Sequence, residues 1–126
     1  MKKITLVSLA LFWACLSSNA DVKLPNVLNS NMVLQRDMPV PIWGWADKGE
    51  KVTVSFAGQK KSATVGKNGE WMVKIDKLKA SAKPATLTVK GNNEIKLENI
   101  LVGEVWICSG QSNMEWRVSQ CANPKE

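Results

Sequence analysis

Lys51-Val52-Thr53-Val54-Ser55-Phe56 is the stretch that decides the fold. Val52, Val54 and Phe56 point one way, Thr53 and Ser55 the other. A strict period of two is the pattern of a half-buried antiparallel strand. Gly58-Gln59 follows as the predicted hairpin turn, and Lys60 to Val65 returns with Ala63 and Val65 inward. Gly66-Lys67-Asn68-Gly69 supplies a second turn from residues that tolerate positive φ. Beyond it Trp71, Val73 and Ile75 alternate with Met72 and Lys74, giving another strand.

The same alternation extends to both sides. Upstream, Met32 to Gln35 is a short apolar stretch broken by Arg36-Asp37 and Pro39. Val40 to Ala46 reads as a strand with Trp43 and Trp45 on one face and Ile42, Gly44 and Ala46 on the other. Downstream, Leu78 to Pro84 is a connection, and Leu87 and Val89 mark a strand. Gly91-Asn92-Asn93 turns the chain, and Ile95, Leu97 and Ile100 to Val102 lead out. About seven short strands with Gly/Asn turns, and no helical period, predict a mainly β fold. The expected architecture is an antiparallel β-sandwich over residues 21–102. Trp43, Trp45 and Trp71 could stack on sugar, but inward tryptophans are ordinary in sandwiches, so at least two are expected in the core.

The character changes near Leu101-Val102-Gly103. Val105-Trp106-Ile107-Cys108 is almost wholly apolar, as in a strand buried on both faces. Small residues then turn the chain, Asn113 is a candidate N-cap, and Glu115 falls in the first turn of an expected helix. Ser112 is thereby predicted at the carboxyl end of a strand and near the amino end of a helix. Sites in open α/β sheets gather there, and backbone N–H groups can stabilise an oxyanion.

Gly110-Gln111-Ser112-Asn113-Met114, preceded by Gly103-Glu104-Val105-Trp106, resembles the first block of the SGNH hydrolases in their sialate O-acetylesterase branch. Met32-Val33-Leu34-Gln35-Arg36 and Pro41-Ile42-Trp43-Gly44-Trp45-Ala46 are similar to the same family's amino-terminal region, in the same order. The likeness runs from about Leu24 onward. It is not the Gly-x-Ser-x-Gly elbow of the α/β-hydrolases, because Met114 takes the last glycine's place. The resemblance implies that Ser112 is a catalytic nucleophile whose own backbone N–H is an oxyanion donor, framed by Gly110, Gln111 and Asn113. It implies an O-acetylated carbohydrate as substrate, sialate or plant polysaccharide. Residues 103–126 would then be the first strand, turn and helix of an incomplete α/β SGNH domain, and the lone strand Val105–Cys108 is expected either to pair onto the sandwich or to be poorly supported.

Acyl transfer by serine needs a base, usually histidine, and the chain contains none. The family carries its Asp-x-x-His motif and further oxyanion donors far downstream of the serine. The expectation is an amino-terminal piece of a longer esterase, with little or no activity alone; the alternative is a carbohydrate-binding or bracing β module.

Without histidine or Cys-x-x-Cys pairs no metal site is expected, and no cofactor. Residues 1–20 read as a secretory signal: Lys2 and Lys3, an apolar run from Ile4 to Leu16, and Ser18-Asn19-Ala20 as the cleavage site. The mature chain is therefore expected to be secreted or periplasmic, with no membrane span. Its lysines are scattered and form no nucleic-acid stripe. Cys108 and Cys121 are expected as free thiols, Cys108 as a small buried apolar residue.

Overall fold

The computed structural model describes residues 21–121; the expected leader over residues 1–20 lies outside them. Among the described residues the chain is mainly β, with seven strands and two 3-10 turns. The strands are β1 (Val33–Gln35), β2 (Val40–Trp45), β3 (Lys51–Phe56), β4 (Gln59–Thr64), β5 (Glu70–Ile75), β6 (Ser81–Lys90) and β7 (Glu94–Gly103). They form a five-stranded sheet in the order β1-β7-β6-β3-β4 and a two-stranded sheet of β2 and β5.

The alternation of β3 behaves as its sequence dictates. Val52, Val54 and Phe56 are buried, and Thr53 and Ser55 are only half-buried. The turn into β4 is Ala57-Gly58, with φ of 48° and 76°, one residue earlier than predicted. Gln59 is drawn into β4 opposite Phe56 because its side chain is tied to Asp76. Its Oε1 accepts the Asp76 N–H at 2.8 Å, and its Nε2 donates to the Asp76 carbonyl at 3.3 Å.

β6 starts at Ser81, so the stretch expected as a connection is mostly strand. Pro84 is accommodated there because it is exposed and lies where the β6–β7 register slips, so no ladder N–H is lost. A second irregularity explains the odd apolar spacing of β7. Leu87 pairs with Leu97 but Ala85 pairs with Ile100, which leaves one extra residue in β7, and Asn99 takes φ 56°. A bulge of this kind shifts side-chain parity. Leu97 and Ile100 thus both reach the core despite their odd separation.

The expectation of a wholly antiparallel arrangement needs correction. β1 runs parallel to β7, pairing Val33, Leu34 and Gln35 with Leu101, Val102 and Gly103. A parallel pair needs a long crossover, and here strands β2 to β6 provide it. Both sheets feed one buried cluster, in which Ile42 and Ile75 from the smaller sheet and Val52, Val54, Leu87, Val89 and Ile100 from the larger are fully enclosed.

Of the three tryptophans weighed above, only Trp71 is core, at 4% exposure; Trp43 is half-buried and Trp45 is 41% exposed. Strand parity decides this. β2 turns Val40, Ile42 and Gly44 inward, so Trp43 and Trp45 lie on the outer face, where their rings meet edge-on at 5.5 Å.

Candidate functional site

The parallel pairing brings the carboxyl end of β1 beside the carboxyl end of β7, where the chain leaves the sheet for Ser112. Three polar side chains meet there. Arg36 Nε donates to Glu104 Oε1 at 2.5 Å, and Gln35 Nε2 donates to Glu104 Oε2 at 3.0 Å. Gln35 Oε1 accepts the Val105 N–H at 2.8 Å, and the Arg36 N–H donates to the Gly103 carbonyl at 2.9 Å. The Gln35 amide, and then Arg36, hold the Glu104 carboxyl below its ordinary range. Glu104 in turn raises the Arg36 guanidinium. Read from the sequence, Arg36 with Asp37 is a local surface pair; that contact exists at 3.5 Å, beside the longer-range one to Glu104. No sequence signal connects partners 68 residues apart.

After Gly103 no strand is formed, which is the second of the two outcomes expected for Val105–Cys108. Residues 104–110 have no assigned secondary structure, and Val105, Trp106 and Ile107 are 47%, 82% and 93% exposed. An apolar strand needs neighbours on both edges and both faces, and no described element lies alongside to supply them. The expected α-helix is likewise replaced by one 3-10 turn, Ser112–Glu115, closed by the Met114 N–H on the Gln111 carbonyl at 3.0 Å. A second short turn covers Val118–Gln120.

Ser112 opens the first of these turns and is exposed, as are Gly110 and Gln111; Asn113 lies in the same turn. Four residues are too few for an appreciable macrodipole, so no α-helix end stands behind Ser112. Cys108 and Cys121 are both free, and both are exposed, so Cys108 is not the buried apolar residue expected. Among the described residues no group of three or more His, Cys, Asp or Glu side chains is placed to hold a metal ion. Within the same residues no helix is long and apolar enough to cross a membrane.

A second candidate lies against β2 and β5. Trp43, Gly44, Asn68, Glu70, Trp71 and Met72 line an open depression of about 520 Å³. Asn68 Nδ2 donates to Glu70 Oε2 at 2.6 Å, which links two planar polar groups in the lining of the same depression.

No protein-family model matches the chain. The human sialate O-acetylesterase is 33% identical over 124 residues, covering 90% of this chain. The sialate O-acetylesterase of Pongo abelii is 32% identical over the same length. This chain is homologous to the sialate O-acetylesterases. It spans 24% of the length of these curated relatives. Among solved structures, XAC1771, a novel carbohydrate acetylesterase from Xanthomonas citri, superposes with a TM-score of 0.72 at 35% identity. That match covers 82% of this chain and 24% of the other.

Proposed function

We propose that this chain is part of a carbohydrate esterase that removes O-acetyl groups from sugars, with Ser112 as the nucleophile. The observation that carries the reading is the exposed Ser112 at the head of a tight turn in Gly110-Gln111-Ser112-Asn113-Met114, in a chain homologous to sialate O-acetylesterases. The hydroxyl attacks the acetyl carbonyl carbon while a base takes its proton. The tetrahedral oxyanion is held by backbone N–H groups of the turn, the sugar hydroxyl leaves, and water releases acetate from the acyl-enzyme. The chain contains no histidine, so these 126 residues lack the usual base and are expected to be inactive alone.

In this reading residues 21–102 form a β-sandwich, made of the two sheets on their common core, and residues 103–126 open the catalytic SGNH domain. The exposed Val105, Trp106 and Ile107 support it, since an apolar run of this kind suits a strand inside a larger sheet. Residues 1–20 act as a leader cleaved after Ala20, which places the mature chain in the periplasm or outside the cell. The test is acetate release from O-acetylated sialosides and xylan fragments by the product of the whole reading frame that encodes this chain. Ser112→Ala is expected to lower kcat by about 10^4-fold or more. Robust turnover by the 126-residue chain alone would refute the account of the base.

The depression at Trp43 favours a second reading, in which the β module binds carbohydrate directly. Indole faces take the apolar face of a sugar ring, and Asn68 and Glu70 offer planar hydrogen-bonding groups beside it. Tryptophan fluorescence titrated with sialosides or xylan fragments separates the two: a saturable change lost in Trp43→Ala but kept in Ser112→Ala supports binding. No response leaves the module as a brace.

A further inference from the structure

Among the described residues, the side-chain hydrogen bonds that tie the segment bearing Ser112 to residues before Gly103 all lie at its root. Glu104 is the first residue after β7, and both of its carboxylate oxygens are taken, one by Gln35 and one by Arg36. Gln35 uses its other end to accept the Val105 N–H, so one side chain grips two successive residues. The arrangement follows from the parallel β1–β7 ladder: Gln35 pairs with Gly103, and the Arg36 N–H extends the ladder one step further. An antiparallel partner would have carried its polar end away from this exit.

We propose that Gln35 and Arg36 are positioning residues, which through Glu104 and the Val105 amide set the direction in which the Ser112 segment leaves the β fold. The inference rests on the reading of Ser112 as the reactive group, but the clamp can be tested without any substrate. Arg36 and Glu104 are about half-exposed while Gln35 is partly buried, and exposed ion pairs contribute little stability. What a planar amide and a guanidinium converging on one carboxylate do supply is geometry. The lowered Glu104 carboxyl agrees with a carboxylate held charged by two donors. Loss of the clamp frees the backbone torsions at the exit, and a small change of angle there is magnified at Ser112.

Two readouts test this in the 126-residue chain. The first is amide hydrogen exchange by NMR. The Val105 amide is expected to be protected relative to Ile107, and to lose that protection in Gln35→Ala, while Val54 and Val89 stay protected and report an intact fold. The second is the spin-label distance between Cys108 and a cysteine placed at Lys96, with Cys15 and Cys121 replaced by serine. A narrow distribution is expected to broaden in Arg36→Ala and in Glu104→Ala, and to narrow again when Arg36→Glu is combined with Glu104→Arg. A purely local role would leave that distance unmoved. Unchanged Val105 exchange in Gln35→Ala, or a distribution already broad in the unmutated chain, overturns the proposal. If Ser112 is not the reactive group, both readouts are unaffected and only acetate release fails, so the two failures are distinguishable.

Discussion

Gly44 and Lys23 meet backbone to backbone. Lys23 and Trp45 exchange two hydrogen bonds, at 2.8 and 2.9 Å, and this brings the Lys23 carbonyl over the Gly44 Cα. A Cβ on Gly44 would stand well inside contact distance of that oxygen, which is main chain and cannot swing away. Gly44→Ala is therefore expected to lower stability by about 1–3 kcal/mol through overpacking, measured by urea denaturation. An unchanged midpoint would show that residues 21–24 can lift off the sheet at little cost.

Ala57 is the opposite case. It is exposed and sits at φ 48° in a two-residue hairpin turn beside Gly58, a conformation that alanine tolerates poorly. Turns with positive φ at both positions favour Asn-Gly. Ala57→Asn is expected to raise stability by about 0.5–1 kcal/mol, read as a higher Tm with no change in the sheet's circular dichroism.

The two faces of the smaller sheet predict different costs for the same kind of truncation. Trp71 is enclosed opposite Gly44 and packs with the buried cluster, so Trp71→Ala should cost about 3–5 kcal/mol. Trp45 is 41% exposed and touches Trp43 edge-on. Trp45→Ala should cost about 1 kcal/mol or less, the scale of one aromatic pair. Equal losses in the two variants would mean that the outer face is covered in solution.

The Glu104 carboxyl carries a small pH signature. Its pKa in the folded chain lies below the unfolded reference of 4.5, chiefly because Gln35 and Arg36 hydrogen-bond the charged form. Its contribution is thus fully present above the unfolded value and disappears as pH falls through the folded one. NMR titration of the Glu104 side chain should show a depressed midpoint that moves up toward 4.5 in Gln35→Ala and in Arg36→Ala. A midpoint at 4.5 in the unmutated chain would contradict the structure at this exit.

Most strands of this chain were legible from side-chain period alone. Val52, Val54 and Phe56, and again Trp71, Val73 and Ile75, are spaced so that only a strand buries them together, and they are buried together. The Ser112 turn was legible in the same local way, since Ser, Gly and Asn in succession leave little else for the backbone to do. Three features depend on more than the local sequence. The partner of β1 is chosen across the whole domain, and its parallel direction is a property of the assembled sheet. The face taken by Trp43 and Trp45 depends on which side of β2 the larger sheet covers, and alternation by itself does not say. The run Val105–Cys108 has the composition of a buried strand but no neighbouring strand among the described residues. Local composition determines what a segment can become; pairing partners, which belong to the tertiary structure, decide whether it does.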